Sequence, residues 1–312
     1  MVSRLFAVVF LLLAMPAISS QPRPLVVASI EPLSMVMRDL LGDRAEVRTL
    51  LLPGQNPHHA SMTPGQARLV RDADLLVWLG ESLEPQVAGL VARRNGPALV
   101  VEELPGVYLR GESSDDQQGS HHDHDHDHDN HQHGGLDPHA WLYPANMQLL
   151  AEALLLTPPA GLSASLLANP VADFTQSVDK RVAALRELLA PVAEISYLSH
   201  HDPWGYFSDA FSVSRPMVIS SNIEASASSR RFVELTRQVR DRQVSCILAE
   251  PEGSRALLRR LCGENCRLVE ADPLGRHMAG ASYGEFLDDL AGRFLQCLEG
   301  ESAVTEELLK TD

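Results

Sequence analysis

From His121 to Trp141 the chain reads HHDHDHDHDNHQHGGLDPHAW. Its first part carries seven histidines, His121, His122, His124, His126, His128, His131 and His133, interleaved with aspartates and no apolar side chain. Such a run has nothing to bury, so it packs as neither strand nor helix in a core. Imidazoles suit zinc, copper and nickel, and the carboxylates between them ease the crowding of cations. The second part, Asp137-Pro138-His139-Ala140-Trp141, sets one histidine in a stiff, partly apolar context where a ring can be held in one orientation. The first part reads as a mobile collector of metal and the second as one ligand of an ordered site. An internal, interrupted tract is a poor match for an expression tag, and a merely solvating loop has little use for seven histidines.

Three further spots share the setting of His139. His58 follows Asn56-Pro57 just past an apolar run ending at Leu52, His201-Asp202 follows one ending at Leu198, and Asp272-Pro273-Leu274-Gly275 follows one ending at Val269. In open α/β sheets ligands gather outside the carboxyl ends of strands. A lone histidine after a strand is usually a turn or cap residue, and an Asp-Pro turn is usually only a turn. The joint placement of the four spots carries the argument.

The elements that would position them alternate along the chain. Apolar strand-like runs fall at Leu25 to Ile30, Val47 to Leu52, Leu75 to Leu79 and Ala98 to Val101, then at Ile195 to Leu198, Met217 to Ser220, Cys246 to Ala249 and Arg267 to Val269. Helical spacing occupies Leu33 to Leu41, Met147 to Leu156, Ser229 to Val239, Arg255 to Cys262 and Phe286 to Leu298, and Thr63-Pro64 reads as a cap followed by proline at a first helical position. Continuous apolar strands belong to sheets covered on both faces. The fold class is therefore α/β: two lobes, each a mostly parallel sheet flanked by helices, joined by one long helix. The periodic stretch Val171 to Leu189 supplies that helix. The expected division is a signal peptide at 1–20, an N-terminal lobe at 24–162 with a His/Asp-rich loop at 111–135, a linking helix at 163–190, a C-terminal lobe at 191–300 and a tail at 301–312. No repeat of sequence relates the two halves.

A chain of 312 residues with 45% apolar side chains can fill two cores. Arg4, the apolar run Leu5 to Ala14 and small residues through Ser20 read as a secretory leader, too short to span a bilayer. The formal charge is −15, with seven acids between Glu112 and Asp129 that no Lys or Arg answers. So acidic a chain is a poor partner for nucleic acid or anionic membranes and a good one for cations. The four cysteines, Cys246, Cys262, Cys266 and Cys297, allow three disulfide connectivities after a leader peptide. Cys246 with Cys297 and Cys262 with Cys266 is the expected pairing. A CxxxC zinc site is the competing reading.

The segment LLPGQNPHHASMTPGQARLVRDADLLVWLGESLE resembles the first lobe of the metal-specific solute-binding proteins of bacterial ABC importers, the cluster A-I family. DPHAWLYP, HHDPWGYF and ILAEP followed by EADPLG resemble its three later signatures in the same order, so the likeness spans nearly the whole mature chain. Within the family the chain is most similar to the zinc-uptake branch (ZnuA type), which carries a His/Asp-rich loop before DPHxW and cysteines at the positions of Cys246 and Cys297. The resemblance implies two lobes on a rigid linking helix with metal in the cleft. It implies His58, His139 and His201 as histidine ligands, and Asp272 as the aspartate available for the fourth position, which water fills in some members. A histidine rather than a glutamate at the His201 position favours zinc over manganese. Pro57 departs from the glutamate of some zinc members, and Pro203-Trp204 from the usual Ala-aromatic pair. His59 and His200 flank two of the proposed ligands, Asp202 reads as a turn cap or hydrogen-bonding partner, and His277 matches no motif.

The expected function is capture of Zn²⁺ in the periplasm and delivery to the membrane subunit of an ABC permease, by a monomer that is not an enzyme. The histidine-rich loop would feed the cleft and could meet a periplasmic zinc chaperone. Ligation needs neutral imidazoles, so affinity should fall as pH drops through about 6.5. Other divalent metals such as manganese, or a metal-dependent adhesin, are the alternatives. A zinc hydrolase is a further one, for which Glu250 and Asp202 could be proposed as bases, although neither sits in a helix motif such as HExxH.

Overall fold

The computed structural model describes residues 23–55, 60–111, 135–219, 229–263 and 266–299. The leader at 1–20, His58 and His59, the histidines from His121 to His133 and the tail at 301–312 lie outside the described residues.

Two four-stranded sheets of the same design make up the lobes. The first contains β1 (Leu25–Ala28), β2 (Glu46–Thr49), β3 (Leu75–Trp78) and β4 (Ala98–Val100) in the order β2-β1-β3-β4. The second contains β5 (Leu198–Ser199), β6 (Met217–Val218), β7 (Cys246–Ala249) and β8 (Arg267–Glu270) in the order β6-β5-β7-β8. Among the described residues every strand pairing within the two sheets is parallel. The inner strands LLVW and CILA are buried at all four positions, as a sheet covered on both faces requires. Strand β2, EVRT, lies on an edge and exposes Glu46 and Arg48, charges that discourage pairing with another chain.

Among the described residues the α-helices are α1 (Glu31–Leu41), α2 (Pro64–Asp72), α3 (Pro85–Val91), α4 (Pro144–Leu156), α5 (Ala164–Leu189), α6 (Gly205–Phe211), α7 (Ser229–Asp241), α8 (Arg255–Cys262) and α9 (Tyr283–Leu298). Thr63 caps α2 in a reciprocal box with Gln66, and Ser282 caps α9 likewise with Glu285. Helix α5, about 39 Å long at 1.5 Å per residue, packs on α4 and α1 from the first lobe and on α6 and α9 from the second. Its buried stripe Leu167, Val171, Phe174, Val178, Leu185 and Leu189 lies in one core cluster that runs through both lobes. Smaller clusters lie beneath the outer helices of each sheet.

The linking helix, expected at 163–190, is α5, and Pro170 sits inside it without ending it. A proline there forfeits one backbone bond, and burial of Leu167 and Val171 on either side offsets the loss. The short helices α3 and α6 were not read from the sequence. Both cysteine pairs are joined as expected. Cys246–Cys297 ties β7 to α9 with Cα atoms 5.5 Å apart, and Cys262–Cys266 joins the last residue of α8 to the residue before β8 at 5.8 Å.

Candidate metal centre

Strands β5, β7 and β8 each end in a polar group. Ser199 is followed by His200 and His201, Ala249 by Glu250, and Glu270 by Ala271 and Asp272. Because β5 pairs with β7, Glu250 comes beside His201. Its Oε2 lies 3.4 Å from His201 Nδ1, and its Oε1 accepts the Ser199 hydroxyl at 2.5 Å. Ser199 Oγ also lies 2.8 Å from the Leu248 carbonyl, so Glu250 is held from its own strand's neighbour. Burial works to lower the His201 pKa, and the Glu250 carboxylate more than offsets it, so the ring titrates above an ordinary histidine.

The first lobe supplies a matching pair. Asp137 Oδ1 accepts the backbone N–H of His139 at 3.0 Å and lies 2.8 Å from its ring Nδ1. Burial pushes the Asp137 carboxyl up, but the His139 ring and Arg110 hold it below the usual carboxylate range. In metal-binding histidines a carboxylate on Nδ1 fixes tautomer and ring orientation and leaves ligation to Nε2. His139 opens a short 3-10 turn, Ala140–Leu142, whose Trp141 donates from Nε1 to the Pro273 carbonyl at 2.7 Å. Tyr283 Oη returns a bond to the Trp141 carbonyl at 2.8 Å. The DPHAW turn is thus clamped onto the DPLG turn of the other lobe.

These supports bring His139 and His201 together. Their ring centroids lie 5.6 Å apart, and the residues are 4% and 6% exposed. Asp272 is buried, but its carboxylate is committed elsewhere. Oδ1 accepts from Leu274 N and Arg276 Nη2, and Oδ2 from Arg276 N and Nε, at 2.8 to 3.0 Å. Arg276 also pairs with Glu252. Among the described residues no three His, Cys, Asp or Glu side chains converge closely enough to hold an ion. His58, expected as a ligand, lies outside the described residues.

The neighbours divide clearly. His200 is lowered in pKa by burial, and the His139 ring is seen against His201 rather than against it. Asp202 caps the turn into α6 by accepting Trp204 N at 3.0 Å. His277 is half-exposed, with its Nε2 3.3 Å from Asp289. Glu250 and Asp137 as supports of the two rings, and Arg276 as the group holding Asp272, were missed by the sequence reading. An acid directly after the buried strand CILA, aligned with His201 after β5, was the signal for Glu250.

The sequence profile of the family described as zinc-uptake complex component A, periplasmic, matches residues 26–297. The chain is 28% identical over 292 residues to the high-affinity zinc uptake system protein ZnuA of Yersinia pestis, covering 88% of this chain and 91% of that one. It is also 28% identical to the protein of the same name from Paracoccus denitrificans, across 96% and 95% of the two chains. A crystal structure of ZnuA superposes with a TM-score of 0.71 at 17% identity, covering 88% of this chain and 99% of that one, a likeness of fold.

Proposed function

The chain belongs to the ZnuA family, component A of periplasmic zinc-uptake complexes, and from that premise we propose that it captures Zn²⁺ outside the cytoplasm and hands it to the permease of an ABC importer. The observation that carries this reading is the apposition of His139 and His201, 5.6 Å apart and drawn from opposite lobes. Each ring leans on a buried carboxylate, Asp137 or Glu250. Two imidazoles preset in this way form half of a tetrahedral zinc shell.

His58 supplies the third nitrogen in this reading, and Asp272 or a water completes the shell. With Asp272 bound to Arg276, recruiting it requires the guanidinium to move toward Glu252, its other partner. Three imidazoles favour zinc over manganese, which prefers carboxylate oxygen. The working division keeps a leader at 1–20, lobes at 24–162 and 191–300, the linking helix at 163–190 and a tail at 301–312. The protein acts as a monomer and as a carrier rather than an enzyme. Glu250, which a hydrolase could use as a base, is occupied by Ser199 and His201. The histidine-rich segment collects zinc weakly for the cleft, and is the place where a zinc chaperone would engage.

The test is competition for zinc against a chromogenic chelator. The mature protein should hold one tight equivalent, and His139→Ala or His201→Ala should abolish it. Retention of that equivalent in both variants would overturn the ligand assignment. A passive buffer built on the histidine-rich segment alone would keep its whole capacity in both.

A further inference from the structure

Asp137 has a second oxygen, and what holds it reaches across to the other lobe. Arg110 is 6% exposed, and its Nε donates to Asp137 Oδ2 at 3.3 Å, while Oδ1 of the same carboxylate holds His139. Its Nη1 is paired with Asp209, on helix α6 of the C-terminal lobe. Helix α6 opens only four residues after His201. Tyr206, also on α6, encloses the guanidinium. Its ring centroid is 5.5 Å from Arg110 Cζ, and its hydroxyl accepts Arg110 N at 2.8 Å and donates to the Asp137 carbonyl at 3.2 Å. A Cβ at Gly205 would sit 2.8 Å from Arg110 Nε, so the glycine opening α6 makes room for the side chain.

We propose that Arg110 is a positioning residue of the metal centre, which couples the hold on His139 to the seating of helix α6 and so slows zinc release. The guanidinium has two ends, and each meets a carboxylate from a different lobe. Planar, forked geometry lets arginine serve both at once, which a point charge cannot do. If the lobes part, the Asp209 end is lost first, and Arg110 can then turn away from Asp137. Asp137 would lose its neutralising partner in a buried setting, and the His139 ring its fixed orientation. The effect is on how long the ion stays, because Arg110 meets both carboxylates only while the lobes are together.

This inference rests on His139 and His201 being zinc ligands, and the experiment separates the two. Zinc release from the full mature protein is followed by stopped flow into a chelator for wild type, Arg110→Gln, Asp209→Asn, the double variant and His139→Ala. Arg110→Gln and Asp209→Asn should each release zinc at least tenfold faster, the range seen when a group supporting a ligand is removed. The double variant should be no faster than Arg110→Gln, since both act through one pair. In cobalt-loaded protein the visible ligand-field band of Arg110→Gln should shift, which a general loss of stability would not cause. Wild-type rates and bands in Arg110→Gln and Asp209→Asn, with His139→Ala having lost tight binding, overturn the positioning role and leave the ligand reading intact. Additive rates in the double variant overturn it as well. Tight binding in His139→Ala overturns the ligand reading itself. Should Arg110→Gln fail to fold, Asp209→Asn at a 30% exposed side chain and Gly205→Ala, which crowds the guanidinium, carry the same comparison.

Discussion

Glu250 stands to His201 as Asp137 stands to His139: a buried carboxylate facing Nδ1 of a ring contributed by the same lobe, at 3.4 Å and 2.8 Å. The two pairs reach this arrangement by different routes. Asp137 does it within a three-residue turn, whereas Glu250 needs the parallel pairing of β5 with β7, about fifty residues apart in sequence. Glu250→Gln keeps an acceptor for Ser199 but removes the charge beside His201. Zinc affinity should fall between tenfold and a hundredfold, the usual cost of losing a carboxylate behind a histidine ligand. Asp202→Asn, which keeps an oxygen for Trp204 N, should change it much less. Competition titrations of the two variants side by side check this, and equal losses would remove the special role of Glu250.

Stability without metal should fall as pH rises, through Glu84. This residue is buried at the start of α3, where its Oε2 accepts Leu79 N at 2.7 Å, and burial pushes its carboxyl up to about 7. A folded pKa above the unfolded value means the folded chain binds the extra proton. Its contribution is full below the unfolded pKa, near 4.5, and is lost as pH rises through about 7. Asp39, raised to about 6 chiefly by burial, acts in the same direction. The full swing from Glu84 is on the order of 3 kcal/mol. Glu84→Gln stays neutral throughout, so its melting temperature should drop less than that of wild type between pH 5 and pH 8. Parallel pH profiles for the two proteins would show that Glu84 does not carry this pH dependence.

Much of this was legible in one dimension. CILA and RALLRRLC were bounded correctly because an apolar run between polar residues, and an amphipathic run capped by Ser254, are both local signals. The apolar run Ile195 to Leu198 points to a strand there, whereas β5 is Leu198–Ser199. Ile195 is partly exposed, while Ser199 belongs to the strand because its hydroxyl is satisfied by Leu248 and Glu250. The order β2-β1-β3-β4 and its copy in the second lobe depend on pairings between distant segments, which periodicity does not encode. The approach of His139 to His201 is of the same kind. It was reached through the motifs around each residue. The hold of Arg276 on Asp272 was within reach of the sequence, since the two are four residues apart around a turn.

The two disulfides should differ in worth because they close loops of different size. Cys246 and Cys297 are 51 residues apart, and Cys262 and Cys266 only 4. Loop-closure entropy alone gives about 4 kcal/mol for the first and about 2 kcal/mol for the second. The longer bridge also joins the central strand β7 to α9, inside the core cluster shared by both lobes. Urea unfolding of the Cys246→Ala/Cys297→Ala and Cys262→Ala/Cys266→Ala proteins should show the larger fall in midpoint for the first pair. The reverse order would mean that native contacts around the short bridge outweigh the entropy of the long one.

The histidine-rich segment should be removable without harm to the tight site, because its two ends already meet. Gly111 and Leu136 form an antiparallel bridge, and Asp137 N donates to the Arg110 carbonyl at 2.9 Å. Paired residues of this kind have Cα atoms about 5 Å apart, so a two-residue Asn-Gly turn can replace residues 112–135 with no strain on Asp137 or His139. Isothermal titration of the shortened protein with zinc should lose the weak phase and keep one tight equivalent. In the intact protein the weak phase should account for several equivalents, in line with seven histidines within thirteen residues. Loss of the tight phase together with the weak one would mean that the segment supplies a ligand to the cleft. His139 and His201 would then have to share the ion with a residue between 112 and 135.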